Sequence, residues 1–402
     1  MMMKNLVGFL LYGLLVLFLF SSGNCRKSYA PPEINANHKY LSVDGMINMN
    51  THGISSIKIT RSQNLSDTIF IPELRATVFI KNTTGMAYPL TDTGSNGMYV
   101  SDALSLDPTQ QYILSVTTAD GNQYASDPIT PKQAPAIDSV TWTIGFDNVA
   151  NTDAVNIYVN AHDPSGNTRF YRWDFIETWA HESIHMTNYL VQDKRIVIVY
   201  DSAMHNWRCW STAPSTSILV GSSNGLSADI ISRAPITRIY QNDPRMDVKY
   251  SILVRQYALN ASEYDYWLQV QKQSETLGGL FDIIPAQLTG NMHNQNIPSE
   301  PVYGYVSASS VQEKRIFISN QNVGGWQSIR PCRSDQYLVD TPREDSLYYY
   351  SNDPEFTFDH FGSLPPAFPG GKKKGPYQIS SSLDCLDCTF QGGSTVRPTF
   401  WQ

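Results

Sequence analysis

His181-Glu182-Ser183-Ile184-His185 has the spacing H-E-x-x-H. On a helix, two histidines four residues apart share one face and can hold zinc, with the Glu activating the bound water. Four cysteines, Cys209, Cys332, Cys385 and Cys388, form a second group, in which Cys385-Leu386-Asp387-Cys388 is a C-x-x-C. Disulfides, buried free thiols and a metal or redox pair are all chemically open to them. Asp163-Pro164-Ser165-Gly166-Asn167 offers oxygen atoms at alternating positions, as calcium loops do, but carries a single carboxylate and no terminal Glu. Gly290-Asn291-Met292-His293-Asn294 is a polar stretch suited to lining a pocket or to satisfying irregular backbone.

The elements that must position these groups weaken the catalytic readings. Tyr171, Trp173 and Phe175 alternate along a strand that runs through Trp179, where a zinc helix would have to begin. No third ligand continues the motif, since Met186-Thr187-Asn188-Tyr189-Leu190 follows, and no Glu occurs between His185 and Glu263. The expectation is therefore a solvated strand-to-strand connection, with zinc catalysis by His181, Glu182 and His185 as the alternative. The C-x-x-C sits in a Pro/Gly-rich tail rather than at the head of a βαβ helix, so structural disulfides are favoured, with three pairings open. The Asp163 loop reads as a plain turn, and the 290–294 stretch as self-satisfied structure. Lys372-Lys373-Lys374 reads as a solvated loop, and Tyr348-Tyr349-Tyr350 as packing rather than a sugar platform. No cofactor is expected.

The chain has 402 residues, with 29 Lys+Arg, 36 Asp+Glu and a net charge of −7, which argues against nucleic acid as a partner. Its 41% hydrophobic content supports folded cores, and many aromatics with little Glu favour strands over long helices. Lys4, the apolar run Leu6–Phe20 and the small residues up to Asn24 have the layout of a secretory signal, too short for a spanning helix. Cys25, directly after it, resembles a lipobox cysteine, although Ser22 and Asn24 replace the usual Leu and Gly or Ala. The organisation expected is a signal peptide over 1–24 and a lipidated tether over 25–39. An antiparallel sandwich follows over 40–128, from the period-two pattern of Leu41, Val43 and Ile47, of Ile57 and Ile59, of Val78 and Ile80, and of Tyr112, Leu114 and Val116. A Pro-rich boundary then leads into a β-rich domain over 137–402. Within it Asn260 and Glu263 head one helix ending near Thr276.

Five blocks in order carry a family resemblance: Pro31–Gly45, Asp163–Trp179, Tyr250–Leu259, Leu277–Ser319 and Cys385–Trp401. They are similar to an uncharacterised family of Bacteroidota cell-envelope lipoproteins, domain-of-unknown-function family 4249. The resemblance implies an N-terminal immunoglobulin- or transthyretin-like sandwich, association with the outer membrane through a lipid anchor, and a TonB-dependent transporter as partner. It supplies no catalytic residue. The expected protein is a mainly β, non-enzymatic outer-membrane lipoprotein, facing the periplasm or the surface. The alternatives are a zinc-dependent hydrolase and a surface adhesin or structural module.

Overall fold

The computed structural model describes residues 39–62, 71–183, 206–276, 288, 290–328 and 387–402, and short strands at 189–192, 195–198, 334–337, 357–360 and 377–380. The first strands are β1 (Leu41–Asn48), β2 (Gly53–Arg61), β3 (Ile71–Pro72), β4 (Thr77–Asn82), β5 (Ala87–Asp92), β6 (Met98–Leu104), β7 (Tyr112–Thr117) and β8 (Gln123–Ser126). Next come β9 (Ile137–Asp147), β10 (Thr152–His162), β11 (Phe170–Glu182), β12 (Tyr189–Gln192), β13 (Arg195–Ile198), β14 (Arg208–Pro214), β15 (Leu219–Ser222), β16 (Ile230–Tyr240) and β17 (Lys249–Leu259). Helix α1 (Ala261–Thr276) precedes β18 (Met292–Asn294), β19 (Val306–Ser309), β20 (Val311–Ser319), β21 (Ser334–Tyr337), β22 (Thr357–His360) and β23 (Tyr377–Ser380). The fold is mainly β, with one long helix among the described residues.

A ten-stranded sheet follows the order β18-β8-β7-β4-β5-β6-β2-β1-β19, with β3 added beside β2. The positions expected to face inward do so: Leu41, Val43, Ile47, Ile57, Ile59, Val78, Ile80, Leu114 and Val116 are buried in one core. Burying each such aliphatic side chain stabilises the fold by roughly 1.5–3 kcal/mol. The strands expected to form a sandwich over 40–128 thus lie on one hydrogen-bonded path that curls round a single core. They are antiparallel throughout, but β19 joins β1 in parallel, pairing Gly45 with Val306 and Asn48 with Ser309. Both β18 and β19 come from the stretch expected to belong to the second domain.

A second core lies between the three-stranded sheet β16-β10-β9 and the sheet β14-β11-β17-β20. Val155, Ile157 and Val159 of β10 meet Tyr171, Trp173 and Phe175 of β11 and Ile252 and Val254 of β17. The Pro-rich stretch between the two cores is stitched down rather than loose. Lys132 N–H donates to Ala308 O at 2.9 Å, Ala134 N–H to Ser310 Oγ at 2.8 Å, and Gln256 Nε2 to Pro135 O at 2.8 Å. Among the described residues no helix is long and apolar enough to cross a membrane.

The C-terminal segment is clasped to β14. Trp210 and Ser394 exchange two backbone hydrogen bonds of 2.8 and 2.9 Å, and Trp401 packs edge-on against Trp210 and Phe317. A disulfide joins Cys388 to Cys209, 179 residues earlier. In the chain-entropy account, closing so long a loop removes about 5 kcal/mol of unfolded-state freedom. The double substitution Cys209→Ala/Cys388→Ala is expected to lower stability by about 3–5 kcal/mol. Urea unfolding of the oxidised protein and the variant measures this directly.

Candidate functional site

Strands that bury one face in a core present the other face elsewhere, because successive side chains alternate. On β1 that other face carries Asp44, Met46 and Asn48, and on β2 it carries Ile54, Ser56 and Lys58. On β11 it carries Arg172 and Asp174, and on β17 Arg255, Tyr257 and Leu259. These two outer faces border a cleft of about 560 Å³, completed by Glu263 and Trp267 of α1 and by Ser307, Val311 and Glu313. Helix α1 is held at this place by its cap, in which Asn260 Oδ1 accepts the Glu263 N–H at 2.8 Å. Tyr264 of α1 meets Phe170 of β11, with ring centroids 4.9 Å apart.

The cleft is polar and aromatic. Arg255 Nε donates to Asp174 Oδ1 at 2.5 Å, and the Tyr257 hydroxyl donates to Asp174 Oδ2 at 2.9 Å. Burial and the Asp174 charge push the Tyr257 phenol well up from its ordinary range. The Arg172 guanidinium lies 4.1 Å from the Trp267 ring centroid and 5.7 Å from that of Tyr257. Glu263 is fully enclosed and accepts a hydrogen bond from Ser307 Oγ. Burial pushes its carboxyl up to about 7, against the opposing pull of Ser307, Arg172 and the Asn260 backbone. Asp44 is also raised by burial, and accepts the Tyr305 N–H at 3.2 Å.

The motifs singled out from sequence are brought together differently. His181 and Glu182 lie on β11, not on a helix and not in a solvated connection. The strand runs beyond Trp179 to Glu182, pairing His181 with Cys209. In a strand these neighbours point to opposite faces. His181 is 2% exposed, with Nδ1 3.0 Å from Gln391 Oε1 and Nε2 2.9 Å from Ser211 Oγ. Both ring nitrogens are engaged, and Glu182 pairs with Arg208, so this pair does not present a zinc-binding face. Gly393 explains the fit: a Cβ there would come within 2.5 Å of both Cys209 Cβ and His181 Nε2. His181, Cys209, Cys388 and Gly393 therefore form the clasp of the C-terminal segment. Cys388 bonds to Cys209 rather than to Cys385, so the C-x-x-C is not a vicinal redox pair here.

Asp163 spends both carboxylate oxygens on its own loop, accepting from Ser165 N–H at 2.9 Å and Thr168 N–H at 2.9 Å, as a turn requires. Asn291 uses its side-chain amide as a strand surrogate, donating to Val306 O and accepting from Val306 N–H, each at 2.9 Å. Cys25, His185, Cys332, Cys385, Tyr348–Tyr350 and Lys372–Lys374 lie outside the described residues. The cleft residues Arg172, Asp174, Glu263 and Trp267 were not foreseen as a group. Their one local signal is the charge pattern Tyr171-Arg172-Trp173-Asp174-Phe175, which puts ions on the face opposite the aromatic core.

Residues 26–315 match the family described as a domain of unknown function, DUF4249. No curated protein matches the chain.

A raised carboxyl makes the folded state hold its proton more tightly than the unfolded chain does. Stability from Glu263 is thus complete below its ordinary value of 4.5 and is lost as pH rises through about 7. Between pH 5 and pH 8 the native protein is expected to lose about 2–3 kcal/mol relative to Glu263→Gln. Urea midpoints of both proteins at the two pH values give the difference.

Proposed function

Because the chain belongs to the DUF4249 family, we propose that it is a non-enzymatic, lipid-anchored cell-envelope protein of a Bacteroidota outer membrane. In this reading it binds cargo beside a TonB-dependent transporter. The observation that carries the reading is the order of features along the chain. An apolar run, Leu6–Phe20, and Cys25 stand directly before the matched residues 26–315. A lipidated Cys25 leaves the residues up to 39 as a tether between membrane and fold. The antiparallel run β1 to β8 round one core supports, within the same proposal, an immunoglobulin- or transthyretin-like character for residues 40–128.

Two further observations support a binding role. Of the residues of the zinc alternative, His181 is engaged in the C-terminal clasp and Glu182 pairs with Arg208. The cleft, by contrast, has the size and the mix of aromatic and polar groups usual for small-ligand sites.

Tagged protein crosslinked in native membranes is expected to bring down a TonB-dependent transporter. Cys25→Ser is expected to release the protein from the membrane fraction and to abolish that recovery. Membrane retention of Cys25→Ser would refute the lipid anchor, and recovery of no transporter by the native protein would refute the partnership.

A further inference from the structure

Most polar groups of the cleft satisfy one another. Asp174 is taken by Arg255 and Tyr257, and Glu263 by Ser307. Two donors are not. Among the described residues the Arg172 guanidinium makes no hydrogen bond and no close ion pair; the rings of Trp267 and Tyr257 hold it. The Trp267 indole N–H is buried and has no acceptor. A buried donor without a partner costs about 1–3 kcal/mol, so the Trp267 indole N–H, set beside the half-buried Arg172 guanidinium, points to an acceptor supplied from outside. A guanidinium stacked on an aromatic face keeps its planar fork of N–H groups in place, and that fork matches the two oxygens of a carboxylate.

The surroundings narrow the ligand further. Asp44, Glu263 and Glu313 also line the cleft, and they would repel a multiply charged anion such as a phosphate ester. Of the lining cations Arg255 is paired with Asp174 and Lys58 stands among the carboxylates, so one negative charge, delocalised over two oxygens, is the charge that the Arg172 fork matches. A cleft of about 560 Å³ suits a ligand of di- or tripeptide or monosaccharide size.

We propose that this cleft binds the carboxylate of a small, singly charged organic acid, with Arg172 gripping the carboxylate and Trp267 N–H donating a second hydrogen bond to the ligand. The terminal carboxylate of a short peptide and that of a sugar acid share this chemistry. The assignment stands whether or not the protein is anchored or meets a transporter.

Calorimetry on the purified full chain tests it with two matched pairs: N-acetyl-glycyl-glycyl-tyrosine against its C-terminal amide, and glucuronic acid against glucose. In at least one pair the acid is expected to bind about tenfold or more tightly than its neutral counterpart. The pair that discriminates identifies the source of the carboxylate. Arg172→Gln is expected to erase the preference, Arg172→Lys to keep part of it, and Trp267→Phe to weaken the acid several-fold. Near-ultraviolet circular dichroism establishes that each variant is folded. Should Arg172→Gln not fold, Trp267→Phe decides. Equal affinity for acid and neutral partner, an acid preference that survives Arg172→Gln, or no binding of any probe at concentrations on the order of 10 mM would overturn the assignment.

Discussion

The structure depends on one crossing strand. Val306–Ser309 is the edge of the ten-stranded sheet, and after Ser310 the same extended chain continues as Val311–Ser319, the edge of the sheet beside β17. Hydrogen bonds from many distant segments converge on this seam. Asn50 donates to Val311 O at 3.0 Å and accepts from Val311 N–H at 2.9 Å; the Ala258 N–H reaches Ser309 Oγ at 3.1 Å; Lys132 and Ala134 close it from the Pro-rich stretch. Each partner is a backbone group or a short side chain, so there is little slack. The two sheets are therefore held at a fixed separation by a chain that belongs to both.

That constraint explains why the cleft is where it is. Two sheets joined by one edge strand cannot also press their outer faces together along their whole length. The space left beside the seam is lined by whichever residues alternate away from the two cores. Helix α1 enters directly after β17, and its cap at Asn260 sets its first turn so that Glu263 reaches Ser307 on the crossing strand. A buried carboxyl is thus placed against the seam itself, which links the titration of one side chain to the element on which the sheet arrangement rests.

Much of the fold is legible in the sequence, because period-two burial is a local signal. Leu41-x-Val43, Ile57-x-Ile59 and Tyr171-x-Trp173-x-Phe175 declare their inward faces without reference to partners. The cap of α1 is local as well, and Ala261–Thr276 ends where its periodicity ends. The parallel pairing of β1 with β19 has no local signature, since it joins residues 261 positions apart. The cleft is illegible for the same reason: it gathers side chains from both sheets and the helix. Even the disulfide is left open by the sequence among three pairings, and it follows from β14 and the C-terminal segment lying side by side.

The H-E-x-x-H stretch shows how a motif misleads when its period is wrong. Its chemistry requires 3.6 residues per turn, which would put His181 and His185 on one face. The residues before it run with period two, and nothing between Trp179 and His181 breaks that period: no Gly, no Pro and no capping residue. The strand therefore continues, and its alternation puts His181 on the face covered by the C-terminal segment. There an imidazole suits a buried position between a hydroxyl and an amide, because it offers one hydrogen-bonding nitrogen to each. Gly393 must be free of a side chain to approach so closely, which makes the histidine and the glycine a matched pair. The same alternation, nine and seven residues earlier on the opposite face, delivers Arg172 and Asp174 to the cleft. One strand thus supplies both the clasp and a wall of the cleft, and the parity of each residue along β11, not its chemical type, decides which of the two it serves.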